Sequence, residues 1–365
     1  MKRAKKAGRN LLRRSILVSS LVATVAGGAF YTFQSGAPYS PLNAMLKTNN
    51  ENAQVVWHPA YAMPWYNNGY RFLLGTVAPM VVGSSPLSAE RYAALSTALV
   101  NDNIVQPSAI EATSLVSYQD LTMFHTEEYI QRVRRLAKSP LGLGMLNGEN
   151  ILSQGILDFF RASVEGTYTA ALIALERGVG INLSGGFHHA FPDHEEGFCF
   201  FNDIAGSIIR LRHRGLVEKV LIIDLDAHHG NGNATYFRND EETVIFDMYH
   251  GDIFPEVKVP VEFPIVLSHG ETDESYLDKL LLLETVVSDF QPDLAFYLAG
   301  ADPFEGDLLG GLSLTIDGLR KRDEFVLETV RNAGVPITVT LAGGYSALPS
   351  LVEINKNTVE VALMH

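Results

Sequence analysis

Val220-Leu221-Ile222-Ile223-Asp224-Leu225-Asp226-Ala227-His228-His229-Gly230-Asn231-Gly232-Asn233 is the stretch whose reading decides the fold. Four apolar residues without a charge predict a buried parallel strand. The run then breaks into acids, histidines and glycines. Side chains alternate faces along a strand, so Asp224, Asp226 and His228 project to one side if the chain stays extended. A carboxylate and an imidazole two residues apart, at the mouth of a buried strand, form a natural pair of zinc ligands. Gly230 and Gly232 let the backbone turn tightly beneath them. The bland alternative is an ordinary polar strand end. Two acids and two histidines among residues 224 to 229 weigh against it.

The same pattern repeats on both sides. Upstream, a strand is expected over Gly180–Leu183, running into Ser184-Gly185-Gly186-Phe187-His188-His189, with a helix from about Asn202 to Arg214. Downstream, strands are expected at Thr243–Met248, Leu294–Leu298 and Ile337–Leu341, and helices at Tyr276–Phe290 and Ile316–Ala333. Nearer the N-terminus the pattern predicts a short strand at Gln54–His58 and an irregular stretch over 62–86. Helices follow at Ser88–Asn101, from Thr126 through Ala137, and at Gly155–Arg177. Regular βα alternation implies an α/β chain with a mainly parallel central sheet and helices on both faces. No second boundary or internal repeat is visible after residue 50, so residues 51–365 are expected to form one domain.

Every unusual polar cluster falls just after a predicted strand: His188 with His189, Asp226 with His228, Asp302, and Tyr345. All would lie at the carboxyl edge of one sheet, where open α/β folds bind ligands. Taken singly the signals differ. Asp302 in Gly300-Ala301-Asp302 reads first as a helix cap, and Tyr345 after two glycines equally suits a packed aromatic. Phe198 beside Gly197 reads first as core. The His188-His189 pair is stronger, because adjacent histidines seldom both satisfy packing.

Charge is unevenly distributed. The formal net charge is -13, yet the first fifty residues hold eight of the 28 basic side chains and none of the 41 acids. The acidic remainder is a poor match for nucleic acid. Cys199 is the one cysteine, so no internal disulfide can form. Lys2, Arg3, Lys5, Lys6, Arg9, Arg13 and Arg14 precede an uncharged run from Ser15 to Phe33. Residues 1–36 therefore read as a basic N-terminus plus a hydrophobic transmembrane anchor or cleaved signal, and 37–50 as a linker. The expected location is membrane-anchored or exported, with the catalytic domain on the non-cytoplasmic side, in a bacterial periplasm.

The ordered set His188-His189, Gly197-Phe198-Cys199, Asn202-Asp203, Asp224 through Gly232, Gly300-Ala301-Asp302 with Gly306-Asp307, and Gly343-Gly344-Tyr345 closely resembles the zinc-dependent histone deacetylase family. The match in order and spacing runs over about residues 165 to 350. Asp224-Leu225-Asp226-Ala227-His228, Leu309-Gly310-Gly311-Leu312-Ser313 and Lys321-Arg322-Asp323-Glu324 look most like its class IV branch and bacterial relatives. Residues 59–125 match poorly.

The resemblance implies a three-layer arginase/deacetylase-like fold with one Zn2+ on Asp226, His228 and Asp302. Two carboxylates and one imidazole would also accept Fe2+ or Co2+. It further implies a K+ ion beside Asp224. His189 would be the general base and His188 its electrostatic partner, oriented by Asp224, with Tyr345 donating to the oxyanion. Gly197, Phe198, Phe254 and Leu309 would form a narrow substrate tunnel. Asn231 would stand behind His189, where class I enzymes place an aspartate. The function implied is removal of acetyl or longer acyl groups from lysine side chains of proteins. An acetylpolyamine amidohydrolase of the same fold is the alternative. A binuclear ureohydrolase would want further Asp ligands near Asp302, where Pro303 and Phe304 stand. A membrane-tethered acyl-lysine binding protein without turnover is a more distant reading.

Overall fold

A computed structural model describes residues 53–62, 90–138, 144–146, 150–152 and 154–365. At its centre, β6 (Val220–Asp224) is buried along its whole length. It pairs in parallel with β7 (Thr243–His250) on one side and β9 (Leu294–Leu298) on the other. The remaining strands of this sheet are β1 (Val55–Trp57), β2 (Ile110–Ala112), β5 (Val179–Asn182), β8 (Phe263–Leu267) and β10 (Ile337–Thr340). Their order is β2-β1-β5-β10-β9-β6-β7-β8. β3 (Gly144–Leu146) and β4 (Asn150–Leu152) form a separate antiparallel pair.

The helices are α1 (Glu90–Asn101), α2 (Tyr118–Leu121), α3 (Glu127–Ala137), α4 (Gln154–Arg177), α5 (Asp203–His213), α6 (Asn231–Tyr236), α7 (Asp273–Leu280), α8 (Leu282–Phe290), α9 (Ile316–Asn332) and α10 (Leu348–Ala362). Strand alternation sorts them into two layers. Val220, Ile222, Leu294, Phe296 and Leu298 pack with Tyr168, Ala171 and Ala174 of α4 and Ile204, Ile208 and Leu211 of α5. The intervening Tyr297 points the other way, donating its hydroxyl to Asp323 of α9. This is the three-layer α/β arrangement expected from the alternation. The described residues belong to one compact unit.

Several expectations change. The single helix over Tyr276–Phe290 is two, α7 and α8, meeting at Leu281. The turn keeps Tyr276 and Leu280 buried on one side and Leu283, Val286 and Val287 on the other, leaving Leu281 and Leu282 outside. β8 carries no period-2 apolar pattern and was not expected; its burial alternates between intermediate and exposed until Leu267. α10 was also not expected. The anchored or exported location is corrected: no helix among the described residues is long and apolar enough to cross a membrane. The longest, α4, carries Asp158, Arg161, Glu165, Glu176 and Arg177 and packs against the sheet. The Ser15–Phe33 run on which that expectation rested lies outside the described residues, as do the linker and most of 62–86.

Candidate active site

β5, β10, β9 and β6 are neighbours in the sheet although far apart in the chain. Their carboxyl ends therefore deliver four loops to one place. The loop after β5 turns at Gly185 and Gly186, both in left-handed backbone at φ 84° and 82°. Asp203, fully buried at the start of α5, accepts the N–H of Gly186 at 2.9 Å and of Phe187 at 2.7 Å. That carboxylate holds the loop that carries His188 and His189.

β6 stops at Asp224, and the chain does not stay extended. The N–H of Asp226 donates to Asp224 Oδ1 at 3.3 Å, and the N–H of His228 to Asp226 Oδ1 at 2.9 Å. These local bonds replace the strand ladder and separate the three side chains. Asp224 pairs with His188 Nδ1 at 2.8 Å. Asp226 and His228 instead converge on Asp302 from the β9 loop, all three buried, with one ligand atom from each lying within 4.8 Å of the others.

The donor set fits a metal ion. Asp226 Oδ2 accepts the Gly343 N–H at 2.7 Å, and Asp302 Oδ1 the Ala227 N–H at 2.9 Å. The other oxygen of each carboxylate faces His228 Nδ1, at 3.0 Å and 2.9 Å. A Cβ at Gly343 would run into Asp226 Oδ2 and Asp302 Oδ2, so glycine there keeps the cradle open. Two carboxylate oxygens and one imidazole nitrogen, buried together, are suited to a divalent cation. Asp302 is pushed up to about 7 by burial and by Asp226. Burial would lower His228, but the two carboxylates outweigh it and raise it to about 10. A metal would take over that neutralising charge.

Beside the cradle the two histidines diverge in character. Burial works against a charge on His188, yet Asp224 and Asp226 raise it to about 9. Burial, with the His188 and His228 rings nearby, holds His189 well below the usual imidazole range. His189 Nδ1 lies 2.7 Å from Asn231 Oδ1. The Asn231 amide is oriented by two further bonds: its Nδ2 donates to Glu196 Oε1 at 2.8 Å, and its Oδ1 accepts the Gly232 N–H at 3.1 Å. Nδ1 of His189 is therefore the protonated nitrogen, which leaves Nε2 with a free lone pair.

A cavity of ≈ 40 Å³ is lined by Arg91, His188, His189, Phe198, Asp226 and Tyr345, among others. Gly197 is required here, since a Cβ at its φ of 52° would run into the His189 ring. Phe254 lies edge-on to His189 with ring centroids 4.9 Å apart and is 42 % exposed. Phe254 and Leu309 do not line the cavity itself; both are exposed. Tyr345 stands edge-on to His228 at 5.9 Å.

This geometry goes with a sequence pattern that is shared. The histone deacetylase domain pattern matches residues 85–362. The chain belongs to the histone deacetylase family. Histone deacetylase 2 of Arabidopsis thaliana is 35% identical over 272 residues, covering 71% of this chain and 69% of that protein. An uncharacterized protein of Picosynechococcus sp. is 34% identical over 298 residues, covering 80% of this chain and 92% of that one. The crystal structure of the HDA15 HD domain matches with a TM-score of 0.67 at 22% identity, over 76% of this chain and 84% of that one, which speaks to the fold. Family membership supports a hydrolytic deacetylase activity in general terms, with acylated lysine as the general class of substrate.

Some residues that shape this deacetylase-type site were not singled out by sequence. Arg91 of α1 donates through Nη2 to Ala342 O at 2.6 Å and through Nη1 to Gly344 O at 3.4 Å, bracketing Gly343. It comes from the 59–125 stretch where the resemblance read from sequence was poor, although the family pattern extends back to residue 85. Asp307 accepts the N–H groups of Leu309, Gly310 and Tyr345 at 2.9, 3.1 and 2.6 Å, tying the β9 loop to the β10 loop. Its place in Gly306-Asp307 was visible, but its partner 38 residues away was not.

Proposed function

We propose that this chain is a zinc-dependent amidohydrolase, with a catalytic domain over 51–365, that removes acetyl or longer acyl groups from lysine side chains. The observation that carries this reading is the convergence of Asp226, His228 and Asp302 beside a cavity lined by His188, His189 and Tyr345. A divalent metal on those three ligands, for which Zn2+ is the best fit, would polarise the amide carbonyl and lower the pKa of water. His189, neutral with Nε2 unprotonated, takes a proton from the attacking water and returns it to the leaving lysine amine. His188 stays charged against Asp224 and supplies positive potential next to the reacting carbonyl. Burial, with Asp226 and Asp302 as neighbours, raises the Tyr345 hydroxyl well above its usual pKa. It therefore stays protonated and can donate to the developing oxyanion.

Apolar Phe254 beside His189 suits the aliphatic stem that an acyl-lysine and an acetylated polyamine share. Phe254, Leu308 and Leu309 are exposed and apolar. Asp307 is occupied by three backbone N–H groups, whereas Asp252 and Glu256, two residues either side of Phe254, are exposed. Such carboxylates would also suit a polycation, so turnover decides between the two substrates. The test is turnover of acetyl-lysine peptides, longer acyl-lysine peptides and acetylated polyamines, with bound zinc measured in the same preparation. Preference for an acyl-lysine peptide with about one zinc per chain supports the reading; exclusive turnover of polyamines, or activity without metal, overturns it.

Asn231 gives a pH prediction. A carboxylate facing His189 would stabilise the imidazolium, raise its pKa and move the acidic limb of the pH–rate profile to higher pH. In Asn231→Asp alone the new carboxylate would stand beside Glu196, and the two would share a proton. Asn231→Asp combined with Glu196→Gln leaves a single carboxylate on His189. Relative to Glu196→Gln alone, the acidic limb of the double variant is expected to rise by about one unit. A limb that stays in place would show that position 231 does not tune the base.

A further inference from the structure

Arg322 is among the largest fully buried side chains, and no step derived above uses it. A guanidinium is buried only where it is paired and hydrogen-bonded. Asp323 supplies the pairing: Oδ1 lies 2.9 Å from Arg322 Nε and 2.8 Å from Nη2. Asp323 is fixed in turn by the Tyr297 hydroxyl and by Thr358 Oγ1 at 2.6 Å. The pair is thus anchored to β9 and to α10, and its Nη1 faces the sheet end.

Nη1 donates to Gly300 O at 2.6 Å and reaches Leu225 O at 3.4 Å. Leu225 immediately precedes Asp226, and Gly300 stands two residues before Asp302. β6 and β9 are in register up to Asp224 and Leu298, and the Leu225 N–H still donates to Leu298 O at 3.1 Å. The next rung of a parallel ladder would be the Gly300 N–H on Leu225 O. Among the described residues no backbone N–H reaches either Leu225 O or Gly300 O. The guanidinium takes the place of that rung. The two strands end there without leaving buried carbonyls bare, and both turn into loops that carry metal ligands. Their approach is close: a Cβ at Gly300 would lie 2.7 Å from the Asp226 Cα.

We propose that Arg322 is a positioning residue that sets the spacing of the Asp226 and Asp302 loops through the Leu225 and Gly300 carbonyls. This rests on the metal reading of the site above. Its effect should appear in metal affinity and coordination geometry before it appears in folding. Arg322→Lys keeps the charge beside Asp323, but a point-like ammonium cannot reproduce the planar fork. Arg322→Met with Asp323→Asn removes both charges together and guards against a variant that fails to fold for want of a partner. Both are compared with the parent by zinc competition titration, by the visible spectrum of the Co2+-loaded protein, and by thermal unfolding. At least one folded variant is expected to bind zinc roughly 10- to 100-fold more weakly, with a changed cobalt spectrum. Parental zinc affinity and an unchanged cobalt spectrum in the folded variants would overturn the proposal and leave Arg322 a structural ion pair. A parent that binds no zinc, or binds it equally well after Asp302→Ala, would instead sink the metal reading and this proposal with it.

Discussion

Asp302→Ala is expected to empty the metal site and to lower turnover by on the order of 10³-fold or more, because one of only three protein ligands is lost. Asp226→Ala should behave in the same way. Metal content by elemental analysis and turnover on an acyl-lysine peptide measure the two effects separately. Both carboxylates also accept backbone N–H groups, from Ala227 and Gly343. Asn in place of either Asp keeps that acceptor while removing the charge. Asp302→Asn should therefore remain folded and yet lose the metal, which separates ligation from loop support. Full metal occupancy and parental turnover in these variants would rule the triad out.

Tyr345→Phe is expected to lower kcat roughly 10²–10³-fold with little change in KM, the signature of an interaction made only in the transition state. Loss of the hydroxyl should leave the loop intact. It is the backbone N–H of Tyr345, not its side chain, that Asp307 holds at 2.6 Å. The ring would still stand edge-on to His228 at 5.9 Å. Unfolding temperature should accordingly change little. Near-normal turnover would return Tyr345 to the role of a packed aromatic.

How much of this was legible in the sequence depends on the range of the interaction. Local periodicity located β6, β9 and β10 and began helices at Thr126 and Asn202, which the structure shows to be their N-caps, because helix starts and strands are written in neighbouring residues. β8 escaped although Phe263-Pro264-Ile265-Val266-Leu267 is apolar throughout. Its sequence does not alternate, and Pro264, a residue tolerated on an edge strand, reads as a break. Asp307 was quoted with its motif but had no partner in sight. Glu196, which orients Asn231, gave no signal at all, because one exposed-looking acid resembles any other.

By itself, the sequence determined the α/β class, the carboxyl-edge position of the polar clusters and the residue types available for chemistry. Those follow from composition and from periods of two and 3.6 residues, which are local. Only the tertiary structure decided that β10 lies between β5 and β9, so that Gly343 can reach Asp226 across 117 residues. Strand neighbours are chosen by which buried faces fit together, not by chain order. Strand alternation alone put Asp224 and Asp226 on one side. The family resemblance assigned Asp224 to His188 and Asp226 to Asp302, and the tertiary structure shows how they part. The difference comes from the chain curling after Asp224, where side chains take over the hydrogen bonds that the strand gives up.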